Sequence, residues 1–132
     1  MQQAKQASQA SIERAINMVI QAIKDNDAQL LYNILVSGFP VEHKIGIYTL
    51  LQFAVVHAGG FDIVRCLIHC KADLKAKSMD GRNIIHLCCR NNRVEMLKSL
   101  WQEYIDPYNL TDMLHERTLA GVTPFMMAIQ AG

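Results

Sequence analysis

The sequence predicts an all-α solenoid of about four stacked helix-turn-helix repeats. First, residues 76–104 contain two short segments with apolar residues at helical spacing, separated by Asn91-Asn92. Second, the preceding block repeats this plan, because Cys88 stands at the position equivalent to Ala54, one period further along the chain. Third, 51% of the residues are hydrophobic, which is enough for a buried core. One helix pair cannot bury its apolar face alone, so we expect the repeats to stack.

The composition excludes several classes of protein. The 132 residues carry a net charge of +1, so no strong overall field attracts nucleic acid or an anionic membrane. No apolar run approaches the ~20 residues of a membrane-spanning helix, and no secretion signal is visible. The four cysteines include no Cys-x-x-Cys pair, which indicates free thiols in a reducing compartment. We therefore expect a soluble cytoplasmic or nuclear protein without a nucleic-acid partner and without membrane insertion.

The charge is distributed unevenly along the chain. Residues 62–98 contain eight basic and four acidic residues, whereas residues 99–132 contain one basic and four acidic residues. The middle is therefore basic and the end acidic. Either a partner recognises this polarity, or it is ordinary solvated surface charge.

The first repeat covers about residues 12–42 and begins with a long amphipathic segment. Apolar residues recur on one face of Ile12–Lys24, which predicts a lengthened capping helix that closes the stack. Ser11 is the candidate N-cap of this helix. Residues 1–11 are rich in Gln and Ala, and we expect them to form a flexible extension.

The second repeat covers about residues 43–75. Thr49–Val56 predicts its short first helix, residues 57–60 predict a break at Gly59-Gly60, and a second apolar stripe begins at Phe61. Ile47 stands where the repeat plan has a glycine, so we expect a distorted loop before the first helix.

The third and fourth repeats, about residues 76–108 and 118–132, are separated by about seven additional residues within 105–120. Asp106–Asn109 predicts a turn. Thr111–Arg117 predicts one or two helical turns capped by its first residue. Long loops in tight folds are often functional, and the alternative is drift in a tolerant surface loop.

These segments resemble ankyrin repeats. In residues 78–95, Gly81, His86 and Cys88-Cys89 stand at the Gly, His and Ala-Ala positions of the ankyrin pattern, although Asn83-Ile84 replaces Thr-Pro. Together the matching segments cover about residues 12–132. The other matching segments are residues 22–42, residues 62–74 and residues 121–128, the last with an intact Thr123-Pro124.

The resemblance implies a non-catalytic module that binds a protein or peptide on a concave surface, without a cofactor. It also implies that His86 is a structural hydrogen-bonding residue that contacts loop backbone. The residues that map to the loop tips of the concave surface are Tyr48, Met79, Asp80, Arg82, Leu119 and Val122. Those that map to the ends of the inner helices are His57, Arg90, Asn91 and Gln130. Of these, Arg82 and Arg90 suit a carboxylate or a phosphorylated peptide.

The fourth repeat has no second helix to cover the apolar face that contains Phe125, Met126 and Ile129. We therefore expect either that the chain continues in a larger protein or that a second molecule covers this face, by self-association for example. An alternative function follows from this expectation, in which the repeats are an intramolecular scaffold that holds the domains of a larger protein together.

A metal-binding or catalytic Cys/His protein is a further alternative. Cys66, His69 and Cys70 fall within one predicted helix, but a zinc site needs four ligands that converge tetrahedrally. Cys66, Cys88 and Cys89 fall at predicted core positions, where a thiol acts as a small hydrophobic group. No phosphate-binding loop or hydrolase motif is present. We therefore expect no bound metal, no cofactor and no enzymatic activity.

Overall fold

A computed structural model describes residues 2–131 of the protein, with side chains from residue 9 onward. The described residues form seven α-helices, a two-stranded hairpin, a π-helical turn and a 3-10 helix. In chain order they are α1 (Gln2–Lys24), α2 (Ala28–Val36), β1 (Lys44–Ile45), β2 (Tyr48–Thr49), α3 (Leu50–His57), α4 (Phe61–His69), α5 (Ile84–Arg90), α6 (Val94–Leu100), the π turn (Trp101–Ile105), the 3-10 helix (Thr111–His115) and α7 (Pro124–Ala131).

The helices form two layers. In the inner layer, α1 contacts α3, α3 contacts α5, and α5 contacts α7. In the outer layer, α2 packs on α4, and α6 continues directly into the π turn. Within each helix pair the inner helix packs on the outer helix that follows it, as α3 does on α4. This arrangement confirms the predicted all-α solenoid of helix-turn-helix repeats.

The hydrophobic core lies between the two layers and extends along the stack. Two of its fully buried residues, Ile105 and Met113, come from the segment that contains the additional residues, so this segment is part of the folded unit. The largest fully buried side chains are those of Ile23, Leu31, Leu50, Leu51, Ile63, Leu67, Ile84, Ile85, Leu87, Leu100, Ile105 and Met113.

The outer helices end in the same way in three repeats. Gly38, Lys71 and Asn109 all have positive φ angles, and the residue after each donates a backbone hydrogen bond back across the last helical turn. More residues separate Lys71 from Asn109 than separate Gly38 from Lys71. The difference accounts for most of the additional residues. Most of these residues therefore lie before Asn109, where the π turn lengthens the outer helix.

The first helix starts earlier than the sequence pattern predicts. It begins at Gln2, so Ser11 lies inside the helix and is not its N-cap. The residues before Ile12 are mostly Gln, Ala and Ser, with no glycine or proline to stop a helix. The flexibility expected for residues 1–11 stays a prediction, and Met1, like Gly132 in the fourth repeat, lies outside the described residues.

Two other local predictions need correction. The loop that contains Ile47 forms a regular hairpin, because Gly46, one position earlier, has a φ of +64° and makes the turn between β1 and β2. The predicted helical turns after the insertion exist as the 3-10 helix, but Leu110 is its N-cap, and Thr111 makes no side-chain capping bond. The turn predicted at Asp106–Asn109 is present.

Leu87 and Leu119 provide a matched test of the core. Leu87 is fully buried in α5 and Leu119 is 83% exposed, so the same truncation should have very different costs. We expect Leu87→Ala to lower the free energy of unfolding by about 2–5 kcal/mol, and Leu119→Ala to change it by less than about 0.5 kcal/mol. Urea unfolding followed by circular dichroism measures both. Equal losses of unfolding free energy in the two variants would contradict the burial of Leu87 in α5.

Candidate functional site

The loop of the fourth repeat is held in place by His86, in the first turn of α5. The His86 ring is fully buried. Its Nε2 lies 2.9 Å from the carbonyl oxygen of Val122, and its Nδ1 accepts a hydrogen bond of 3.1 Å from the backbone N–H of Asn83. Since a carbonyl oxygen can only accept, Nε2 carries the proton and the ring is neutral. The predicted role of His86 as a structural hydrogen-bonding residue is confirmed.

Gln52 has the same role one repeat earlier, although this role was not predicted from the sequence. Its Oε1 accepts from the backbone N–H of Thr49 at 2.9 Å, which closes the first turn of α3. Its Nε2 donates to the carbonyl of Ala76 at 3.0 Å, in the next loop. The signal was present in the sequence, because the offset from Gln52 to His86 is the same as the offset from Ala54 to Cys88.

A buried polar network surrounds the cap of α5. The Asn83 side chain donates to the carbonyl of Met113 at 2.9 Å and to Glu116 Oε1 at 2.9 Å, and Lys77 Nζ lies 3.0 Å from Glu116 Oε2. Burial opposes ionisation of Glu116, but the hydrogen bonds from Asn83 and Lys77 outweigh it and hold its pKa below the usual value. These contacts tie the 3-10 segment to the third repeat.

The tips of the third and fourth loops lie side by side. The backbone N–H of Leu119 donates to the carbonyl of Asp80 at 3.0 Å. Gly81, with a φ of +84°, packs closely against the backbone of the fourth loop. A Cβ added at Gly81 would lie only 3.0 Å from the backbone nitrogen of Leu119. The structure therefore places Met79, Asp80 and Arg82 close to Leu119.

The side chains at these tips differ in their exposure and in their contacts. Met79 is 68% exposed and Leu119 is 83% exposed, and neither packs against the core. Arg82 is half-buried, and its Nε lies 2.9 Å from Asp80 Oδ2. This part of the surface thus combines two free apolar side chains with a partly shielded ion pair.

Two of the predicted loop-tip residues have local structural contacts. The carbonyl of Val122 accepts from His86, and its N–H donates to Thr118 Oγ1 at 3.2 Å. Tyr48 pairs with Ile45 in the hairpin and is half-buried against the core. Val122 therefore contributes mainly its backbone here, and Tyr48 belongs to the loop of another repeat.

The residues predicted at the ends of the inner helices form a second group. His57, Arg90, Asn91 and Gln130 are all exposed, at the carboxyl ends of α3, α5 and α7. In the third repeat the length of α5 separates them from the loop tips by about 10 Å. Between the two groups, Ile84–Cys88 are buried. In the third repeat the loop tip and the helix end are therefore separated by buried residues of α5.

The helix-end group lies in a basic environment. The His57 ring contacts the Phe53 ring at a tilt of 42°, with ring centroids 4.5 Å apart. Partial burial and the nearby charges of Lys24 and Arg93 lower the pKa of His57. Arg93 is itself held by hydrogen bonds to the carbonyls of Val55 and Ala58, at the end of α3. Arg90 is thus the exposed cation available to a ligand in this group.

The cysteine chemistry gives little support to the metal or catalytic alternative. Burial raises the pKa of Cys66 to about 11 and that of Cys88 to about 12, so both thiols are protonated at neutral pH. Among residues 9–131, no group of three or more His, Cys, Asp or Glu side chains is placed to hold a metal ion. His69 instead lies beside Tyr32, with ring centroids 6.4 Å apart.

Comparison with known proteins agrees with the architecture. A family model described as ankyrin repeats (3 copies) matches residues 19–112 and again residues 51–132. No curated protein sequence gives a significant match. In the part of the chain that the structure describes, no helix is both long enough and apolar enough to cross a membrane.

The buried His86 should make stability depend on pH. Burial lowers its pKa below 6.5, although the bond to Val122 and the charge of Glu116 oppose this shift. The unfolded chain therefore binds a proton more readily, and stability is lost as the pH falls from about 6.5 through the lower pKa of the folded state. We expect the free energy of unfolding of the wild type to drop more steeply between about pH 7 and pH 5 than that of His86→Gln.

His86→Gln is a suitable control, because Gln52 makes the equivalent bonds one repeat earlier. The other histidines, including His57, contribute equally to the pH dependence of stability in both proteins, so the comparison removes their contributions. Urea unfolding at a series of pH values gives both slopes. Parallel curves would show that the ring of His86 does not titrate between the folded and unfolded states as inferred.

Proposed function

Because this chain belongs to the ankyrin-repeat family, whose repeats are generally protein–protein interaction modules, we propose that it binds a protein or peptide through its loop tips and inner-helix ends. The observation that carries the proposal is the pair of exposed apolar side chains, Met79 and Leu119, on adjacent loops. Exposed apolar side chains on adjoining loops provide apolar area that a partner can cover.

The gain from covering this pair is large enough to drive binding. Full burial of one Met or Leu side chain stabilises by about 1.5–3 kcal/mol. The backbone bond between Leu119 and Asp80 already fixes the two loops relative to each other. Little conformational freedom is therefore lost when a partner binds, and more of the burial energy is available for affinity.

Charged groups beside the pair provide selectivity. The Arg82–Asp80 pair is partly exposed, and such pairs contribute only about 0–1 kcal/mol. A carboxylate or phosphate of the partner can therefore replace Asp80 at small cost. At the helix ends, Arg90 offers a second cation. A peptide with an apolar side chain near an acidic or phosphorylated residue fits this arrangement.

The proposed function is non-catalytic, as is typical of ankyrin-repeat proteins. We also propose a cytoplasmic or nuclear location. The free state of the cysteines in the described residues supports it, since a reducing compartment keeps thiols unpaired.

A second candidate function is the intramolecular scaffold. Phe125 is 73% exposed and Ile129 is 65% exposed on α7. Ile85, which holds the position of α5 that matches Phe125, is fully buried, and α5 packs against α7. Another helix stacked on α7 would cover these residues in the same way. In this case the chain would hold together parts of a larger protein instead of an external partner.

Binding can be tested with three pairs of apolar truncations. We expect the double variant Met79→Ala, Leu119→Ala to lose retained protein partners when the immobilised chain is exposed to cell lysate. With the purified partner its affinity should fall by about tenfold or more, as expected for interface anchors. Mass spectrometry identifies the retained proteins, and calorimetry gives the affinity.

The control is the double variant Ile12→Ala, Val36→Ala, which removes exposed apolar side chains from the first repeat. It should bind like the wild type. Equal loss in both double variants would refute the loop-tip surface. Specific loss after Phe125→Ala, Ile129→Ala, with the tip variant unaffected, would favour the scaffold function.

A further inference from the structure

The free side of α7 is an apolar face that the loop-tip surface does not use. Phe125 is 73% exposed, Ile129 is 65% exposed and Met126 is 40% exposed. Their spacing puts the three side chains on one side of the helix. α7 packs against α5, and its buried residues include Met127. The exposed side of α7 is therefore the end face of the described stack.

The preceding inner helix shows how the stack covers such a face. The α5 residues at the three equivalent positions are Ile85, His86 and Cys89. Ile85 and His86 are fully buried, Cys89 is partly buried, and α5 packs against α7. In this fold the side of an inner helix is thus covered when another inner helix packs on it. The face of α7 is suited to a contact of the same kind.

Met126 makes a further repeat a poor cover for this face. It takes the position of Gln52 and His86, because its backbone N–H bonds to its cap residue, Thr123, at 3.3 Å, as theirs do to the caps of α3 and α5. Gln52 and His86 each bond through the side chain to a carbonyl of the following loop. A thioether has no N–H or O–H to donate. A repeat stacked on α7 in the same way would bury a loop carbonyl without its partner, which is costly.

The two ends of the stack also differ in charge. α7 contains no charged residue. The exposed residues of α1, at the other end, include Glu13, Arg14, Asn17 and Gln21. Stacking α1 of a second copy on α7 would take these polar groups out of water against an apolar face, which is unfavourable. When two α7 faces meet about a twofold axis, no polar side chains of α1 are buried and no like charges of α7 are brought together.

We propose that the free side of α7 is a homodimer interface, in which α7 of a second copy of this chain packs on it about a twofold axis. Phe125, Met126 and Ile129 of one copy contact the same three residues of the other, so each of these side chains is covered twice in the dimer. The face comprises part of one short helix, so we expect a weak, reversible dimer. It shares no residue with the loop tips, and the proposal does not rest on the function proposed above.

Sedimentation equilibrium of the full chain tests the proposal directly. Data collected from micromolar to millimolar concentrations give the mass of the largest species and the dissociation constant. We expect a monomer–dimer equilibrium. A monomer at every concentration overturns the proposal. Species that grow beyond the dimer overturn it as well, because they indicate head-to-tail stacking.

Variants place the interface. Phe125→Ala, Ile129→Ala should raise the dissociation constant of the dimer by about tenfold or more, as expected for interface anchors. The matched control Ile12→Ala, Val36→Ala removes two exposed apolar side chains from the first repeat and should dimerise like the wild type. Equal weakening of the dimer in both double variants would overturn the proposal, since the first repeat would then take part in the contact.

A charge at the interface provides a second variant. Ile129→Lys places a cation on each of the two facing helices and should abolish the dimer. Because Ile129 is largely exposed, this variant should keep the circular dichroism of the wild type, and it decides the question if the double alanine variant does not fold. An unchanged dissociation constant in Ile129→Lys and in a folded Phe125→Ala, Ile129→Ala would exclude α7 as the interface.

The loop-tip variant separates this proposal from the function proposed above. Met79→Ala, Leu119→Ala should dimerise like the wild type, because α7 is unchanged. Loss of the dimer in that variant would place the contact at the loop tips and overturn the proposal. If the wild-type chain retains no partner from lysate but still dimerises through α7, the loop-tip function fails and the homodimer proposal stands.

Discussion

The stack depends on one kind of interaction, a buried polar side chain in the first turn of an inner helix that bonds to the next loop. Gln52 reaches the carbonyl of Ala76, and His86 reaches that of Val122. Each side chain also accepts from a backbone N–H at the start of its own helix. A buried group left without its partner costs about 1–3 kcal/mol. Hydrophobic contacts stabilise the packing of the layers but are non-directional. These hydrogen bonds instead fix the distance from one loop to the next.

The loop-tip surface is a consequence of this fixed distance. With the backbone of Val122 held by His86, the tip of the fourth loop lies against the third, and Leu119 bonds to Asp80. At these tips the Met79 and Leu119 side chains are largely exposed to solvent. Their exposure thus follows from the polar bonds beneath them. The geometry that stabilises the stack also prepares the binding surface.

Features that depend on local residue type could be predicted from the sequence, and features that depend on distant contacts could not. The helices follow from the repeat period, and the hydrogen-bonding role of His86 and the loop-tip positions follow from the resemblance to ankyrin repeats. The extension of the outer helix through the π turn does not, because its decisive contacts are the burial of Ile105 and the pairing of Glu103 with Arg65, which is distant in the sequence. The separation of loop tip and helix end in the third repeat likewise depends on the burial of α5 between its neighbours.

The inserted residues show why the two layers can change separately. The repeat spacing is kept as far as Leu100, which is the equivalent of Leu67, and both side chains are fully buried. Most of the added residues then lengthen the outer helix, and the chain returns through the 3-10 segment to place Val122 against His86. The hydrogen bonds that fix the inner layer are therefore unaffected by the insertion. The outer layer can therefore change in length while the loop tips keep their geometry.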